Sequence, residues 1–112
     1  MNLKAINNIY FVGIGGIGMS ALARYFVANG KHVAGYDKTP SDITTSLLEL
    51  GVEVHFNDSI AEVKQEFLDK ETTLVVFTPA IPKSHSELNY FKDNGFKVYK
   101  RSQVLGEITK QT

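Results

Sequence analysis

The chain has 112 residues, room for one domain, and 43% of them are apolar, enough for a core. Twelve Lys and Arg balance twelve Asp and Glu, so no basic excess exists to bind nucleic acid or an anionic membrane through bulk charge. With no cysteine, thiol catalysis, disulfides and Cys-ligated zinc are excluded, which fits a reducing cytoplasm. No apolar run approaches the roughly 18 residues of a membrane span, and no signal-peptide core follows the first residues. The expectation is a cytoplasmic, single-domain protein.

The first predicted element is the apolar run Ile9-Tyr10-Phe11-Val12, a strand covered on both faces. It leads into Gly13-Ile14-Gly15-Gly16-Ile17-Gly18 and then a helix carrying Leu22 and Phe26, with small Ala21, Ala23 and Ala28 permitting close packing. Gly30 closes that helix, as Gly51 and Gly95 close later ones. A second strand runs His32-Val33-Ala34-Gly35-Tyr36. Thr39-Pro40-Ser41-Asp42 then predicts a helix capped by Thr39, with Pro40 at its first position and Ile43, Leu47 and Leu50 on its inner face. After the strand Val52-Glu53-Val54-His55-Phe56, the Ser59-Ile60-Ala61-Glu62 signature predicts a helix burying Ile60, Val63 and Phe67. The strand Leu74-Val75-Val76-Phe77 follows, then a helix capped by Ser84 with Leu88 and Phe91 inward. The strand Phe96-Lys97-Val98-Tyr99 and a short helix near Arg101–Ile108 complete the order. The pattern fades from Glu107, so residues 1–108 are expected to form the domain and 109–112 the start of a linker. Five β-α units predict an α/β, Rossmann-like three-layer domain with a five-stranded parallel sheet.

The spacing of the cluster is G-x-G-x-x-G, directly after a strand and opening a helix. Gly13 is expected to permit the sharp turn, Gly15 to let backbone approach a phosphate, and Gly18 to let the helix pack closely on the strand. Amide N–H groups at the helix start then face an anion. Each such bond contributes about 1.5–3 kcal/mol, against roughly 0.3–2 kcal/mol from the helix dipole. The hydrogen bonds dominate. Asp37, ending the second strand, is expected to accept ribose hydroxyls, though Asp-Lys-Thr-Pro reads equally well as a turn. The segment Thr78-Pro79-Ala80-Ile81-Pro82 ends the fourth strand, where the ligand crevice of a parallel sheet lies. Ser20 could help hold a phosphate from the first helical turn, and Arg101, after the fifth strand, either meets an anion or is a solvated charge. Gly35 marks another close backbone approach. His32, His55 and His85 are too scattered for a metal site and read as surface or satisfied histidines, with His55 the exception to watch. No ATP-type phosphate loop is present, because Gly30-Lys31 is followed by His32. The loop and Asp37 alone do not choose between NAD(H) and another nucleotide diphosphate, and a packing turn without nucleotide remains the plain alternative.

The run Tyr10-Phe11-Val12-Gly13-Ile14-Gly15-Gly16-Ile17-Gly18-Met19-Ser20-Ala21-Leu22-Ala23 resembles the N-terminal signature of the Mur ligases. The likeness continues through Gly35-Tyr36-Asp37, Leu48-Glu49-Leu50-Gly51, Thr78-Pro79-Ala80-Ile81 and Lys100-Arg101-Ser102-Gln103-Val104-Leu105. Within the family it points to members that join L-alanine to UDP-N-acetylmuramate with ATP and Mg²⁺, in cytoplasmic peptidoglycan synthesis. Members that attach a tripeptide to the same sugar nucleotide are a second possibility. The resemblance implies a three-domain enzyme of which this is the first domain, binding the UDP moiety and not catalytic alone. It implies no cofactor on this domain, ATP and Mg²⁺ on the rest of the enzyme, and no nucleic-acid or membrane partner. The implied UDP contacts fall on Gly13, Ile14, Gly15, Gly16, Ile17, Gly18, Ser20, Asp37, Thr78, Ala80, Ile81 and Arg101. Two positions depart from the pattern: Tyr36 where many relatives carry Ser, and Asp58 where many carry a His near the uracil.

Overall fold

The computed structural model describes residues 2–110. Its strands are β1 (Asn8–Val12), β2 (His32–Tyr36), β3 (Glu53–His55), β4 (Thr73–Phe77) and β5 (Lys97–Lys100), and its α-helices are α1 (Ile17–Ala28), α2 (Asp42–Glu49), α3 (Ser86–Asp93) and α4 (Arg101–Lys110). The sheet has the order β3-β2-β1-β4-β5, parallel throughout. From β1 the chain steps outward through β2 and β3, then returns to place β4 on the other side of β1. That reversal opens a crevice beyond the carboxyl ends of β1, β2 and β4.

Alternation along β1 divides the core. Ile9 and Phe11 face a layer with Leu22, Phe26, Leu47 and Val104 from α1, α2 and α4. Tyr10 and Val12 face the other layer, with Phe67, Leu88 and Phe91. All five residues of β1 are buried, as a strand between two helical layers requires. Gly30, Gly51 and Gly95 all follow helices with positive φ, as expected.

Three helix starts differ from the sequence expectation. Thr39 does not cap α2: its amide donates to the Asp37 carboxylate at 3.2 Å, which draws it into a turn. The cap is Ser41, whose Oγ accepts from Thr44 N–H while Thr44 Oγ1 accepts from Ser41 N–H, so Pro40 lies before the helix. A Thr hydroxyl does the work expected of an acid. Ser84 likewise yields to His85, whose Nδ1 accepts from Leu88 N–H at 3.3 Å.

The predicted helix after Ser59 is two short 3₁₀ turns, Ile60–Glu62 and Gln65–Leu68. Tertiary bonds outcompete the helix here. Ser59 N–H donates to Glu87, and the Glu66 carbonyl, freed from any helical ladder, accepts from Asn8 Nδ2 at 2.9 Å. The break still buries Val63 and Phe67. At the far end, α4 continues through Lys110, two residues past the expected domain limit, while 111–112 of the expected linker lie outside the described residues.

Two glycines should respond oppositely to alanine. A Cβ at Gly35 would stand 2.7 Å from the Phe11 carbonyl oxygen and 2.9 Å from the Ile14 side chain, whereas Gly106, inside α4, has open space. Gly35→Ala is expected to destabilise the fold by about 1–3 kcal/mol, and Gly106→Ala to stabilise it by about 0.5–1 kcal/mol. Urea denaturation of both variants checks this; a neutral Gly35→Ala would contradict the packing.

Candidate functional site

The turn from β1 into α1 begins at Gly13, whose φ of 95° is a conformation that L side chains resist. Its amide and that of Ile14 both donate to the Tyr36 carbonyl, at 2.8 and 2.9 Å. The Gly15 amide donates to Asp37 Oδ1 at 2.9 Å, and an added Cβ at Gly15 would lie 2.8 Å from that carboxylate. Gly15 therefore lets a side-chain carboxylate close on the loop; its amide is not left for a phosphate. The first amides without an acceptor among the described residues are those of Ile17, Gly18 and Met19, the first turn of α1. Beside them stands Arg101. A Cβ on Gly18 would come within 3.0 Å of its guanidinium, so Gly18 makes room for this cation rather than for strand packing. The helix start and Arg101 together present the kind of donors that an anion seat would need.

An open cleft of about 430 Å³ adjoins this seat, walled by Gly13, Tyr36, Asp37, Ala80, Ile81 and His85, with Lys38, Asp58, Pro82 and Ser84 completing its rim. Of the expected contact residues it brings together Gly13, Asp37, Ala80 and Ile81. Ile17, Gly18 and Arg101 stand at the candidate anion seat, where Ile17 is 83% exposed, while Gly16 is the N-cap of α1 and its amide donates to the Gly13 carbonyl at 3.4 Å. Three expected residues fall elsewhere. Ile14 is fully buried in the core against Gly35. Ser20 is buried, and its hydroxyl donates to the Ile17 carbonyl at 3.0 Å. Thr78 is half-buried at the strand end, where its carbonyl accepts from Ile81 N–H. Asp37 holds the turn, as the Asp-Lys-Thr-Pro reading allowed: Oδ1 accepts from Gly15 N–H and Oδ2 from Thr39 N–H, while the residue also lines the cleft.

Glu87 and Tyr10 were not legible as site elements, and Asp58 was noted only as a departure from the family pattern. Asp58 accepts from the amides of Ser86 (2.7 Å) and Glu87 (2.9 Å), capping α3 from a distant loop. Glu87 is fully buried, and its carboxylate accepts from Tyr10 Oη at 2.5 Å, His55 Nε2 at 2.7 Å and Ser59 N–H at 3.0 Å. Three donors compensate the removal of this group from water. His55 thus belongs to a structural network that fixes the first turn of α3, and His32 is an exposed residue 3.1 Å from Glu66. The only sequence signal for the network was a polar Tyr10 inside an otherwise apolar strand.

Burial holds the Tyr10 phenol well above its ordinary 10.0, reinforced by the neighbouring Glu87. Burial also raises Tyr36, with Asp58, Glu87 and Asp37 adding to it.

These sequence and structural features belong together in one family. The chain belongs to the Mur ligase family: the family's sequence pattern, described as Mur ligase family, catalytic domain, matches residues 8–112. It is 54% identical over 112 residues to the UDP-N-acetylmuramate–L-alanine ligase of Parabacteroides distasonis and 57% over 111 residues to that of Cytophaga hutchinsonii. It is covered wholly or to 99% by these alignments but spans only 24% of each relative. The solved UDP-N-acetylmuramate–alanine ligase of Thermotoga maritima matches 93% of the chain with a TM-score of 0.81 at 28% identity, over 23% of that structure. A murein peptide ligase of Psychrobacter arcticus matches 89% with a TM-score of 0.75 at 29% identity, over 20% of its length.

In the unfolded chain Tyr10 ionises near 10.0, while the folded chain keeps its proton to higher pH. The unfolded state then binds fewer protons, so the stability contributed by Tyr10 is complete below pH 10.0 and falls as pH rises beyond it. Tyr10→Phe is expected to cost about 1.5–3 kcal/mol at pH 7, since Glu87 loses a donor. The variant should also decline less steeply than the parent above pH 10. Unfolding curves at pH 7 to 11 measure both; parallel declines would contradict the assignment.

Proposed function

We propose that this chain is the UDP-binding N-terminal domain of a UDP-N-acetylmuramate–L-alanine ligase. It holds the nucleotide end of UDP-N-acetylmuramate while the remainder of a longer, cytoplasmic enzyme adds L-alanine with ATP. The observation that carries this reading is the pairing of a base-sized cleft with an anion seat at the start of α1, joined by Asp37. A uridine in the cleft would bring its ribose to Asp37 and its pyrophosphate to the amides of Ile17, Gly18 and Met19 and to Arg101. Of the expected loop contacts this reading keeps Ile17 and Gly18 for the phosphates and gives up Ile14 and Gly15, whose amides are taken by Tyr36 and Asp37.

The murein peptide ligase likeness supports a second member of the family that uses the same sugar nucleotide. The cleft serves either. The identity of 54–57% to alanine-adding relatives favours the first.

In this reading ATP and Mg²⁺ serve the remainder of the enzyme. No group of three or more His, Asp or Glu side chains converges as a metal site among the described residues, and no G-x-x-x-x-G-K-[ST] loop occurs. No helix among the described residues is long and apolar enough to cross a membrane.

Calorimetric titration of the chain with UDP-N-acetylmuramate, UDP and NADH tests the proposal: heat from the two UDP ligands and none from NADH is expected. Binding of NADH alone would overturn it. Arg101→Ala should weaken UDP by about 1.5–3 kcal/mol, the loss of a charge-assisted hydrogen bond, and leave uridine unchanged. Equal loss for both ligands would remove Arg101 from the anion seat.

A further inference from the structure

Asn-Gly occurs twice in the sequence, at Asn29-Gly30 and Asn94-Gly95, and each pair ends a helix in the same way. Both asparagines are C-caps whose side-chain amides donate at 2.8 Å to a carbonyl one turn back, Tyr25 for Asn29 and Tyr90 for Asn94. Both glycines have a φ of 78°. Asn-Gly is open to attack by its own backbone, because glycine has no Cβ to shield its amide nitrogen. The fold therefore holds two chemically matched sites that differ only in what restrains them.

At rest both are protected. With ψ at 16° for Asn29 and 14° for Asn94, the following nitrogen is turned away from the side-chain carbonyl carbon, so reaction requires the turn to open. The restraints on opening are weaker at Asn94. Gly30 N–H donates to the Val27 carbonyl at 3.1 Å, whereas Gly95 N–H reaches that of Lys92 only at 3.4 Å. The helix before Asn29 has 12 residues with Phe26 buried in its last turn, while α3 has 8 and buries nothing beyond Phe91. After Gly30, Lys31 Nζ donates to the Leu3 and Ile6 carbonyls, and the chain enters β2, which is paired on both sides. After Gly95 it enters β5, an edge strand paired with β4 alone. Few buried contacts and an edge position are the marks of a segment that opens locally. Charge acts in the same direction. A Cβ on Gly95 would lie 3.8 Å from Lys70 Nζ, while one on Gly30 would have no neighbour within 4 Å among the described residues. An ammonium beside Gly95 favours loss of its amide proton.

We propose that Asn94 is a site of spontaneous deamidation, modified ahead of Asn29. The Gly95 amide gives its proton to hydroxide, and its nitrogen attacks Asn94 Cγ. The new C–N bond forms as the Cγ–Nδ2 bond breaks, and ammonia leaves with a proton taken from water, which restores the hydroxide. A second water opens the five-membered imide at either carbonyl, giving aspartate or isoaspartate. In total one water is consumed and one ammonia released, with no change of oxidation state. The product has no donor for the Tyr90 carbonyl, and it sets a negative charge at a helix C-terminus, where the dipole opposes it. The modification thus loosens the turn between α3 and β5, at the end of α3 remote from His85 and the cleft, and it does not depend on the nucleotide reading.

The test is to age the 112-residue chain in mildly alkaline buffer, folded and in urea, and to map aspartate and isoaspartate by peptide mass spectrometry. Dividing each folded rate by that of the same site in urea removes the influence of sequence neighbours. On that scale Asn94 should react at least about three-fold faster than Asn29. Equal scaled rates, or Asn29 ahead, would overturn the proposal. So would a folded chain in which neither site changes while both convert in urea. The variant Asn94→Asp should speed amide hydrogen exchange at positions 94–96; unchanged exchange there would contradict the loosening.

Discussion

The Asp37 carboxylate on the Gly15 amide, at 2.9 Å, is the contact that organises the ligand end of this domain. It joins the segments that leave β1 and β2, and it exists because Gly15 has no Cβ to stand between them. With Gly13 and Ile14 both donating to the Tyr36 carbonyl, the first half of the glycine loop is closed by internal bonds. The amides left without acceptors are consequently those of the first turn of α1, where the proposed anion seat falls. Asp37 thus shapes the glycine loop and stands in the wall of the adjoining cleft, so in the proposed nucleotide site it would link the phosphate end to the sugar.

The opposite wall of the cleft depends on a buried carboxylate. Glu87 holds Tyr10 from the central strand, His55 from an edge strand and the Ser59 amide at once. Asp58 adds two bonds to the start of α3. Together they place His85 and the Ala80–Ile81 segment against Tyr36. Buried charge is expensive to create and expensive to disrupt, so this wall is a rigid one, and the apolar cleft surface owes its position to polar chemistry behind it.

The fold was legible because strand and helix periods, glycine stops and the order of elements all agreed. The cleft was legible where geometry follows from local chain chemistry, as at Gly13, Asp37 and the Ala80–Ile81 turn, which the structure brings together in one wall. It was not legible where a distant partner decides. Thr44 serves as the acceptor side of a cap in place of an acid, and His85 replaces Ser84 through a ring nitrogen. The segment from Ser59 has helical spacing but gives up its ladder to Glu87 and Asn8. Ser20 sits at the right place in the motif, yet a hydroxyl inside a helix turns back to a carbonyl of its own turn. The family likeness carried the nucleotide assignment further than spacing alone, and its two departures, Tyr36 and Asp58, prove to be the residues that build the cleft wall around His85.

The central claim is that phosphate meets the α1 amides and not the Gly15 amide. Through-hydrogen-bond ¹⁵N–³¹P couplings in the UDP complex address it directly. Couplings at Ile17, Gly18 or Met19, with none at Gly15, are the predicted result. A coupling at Gly15 would mean that Asp37 releases the loop on binding, and would contradict the account.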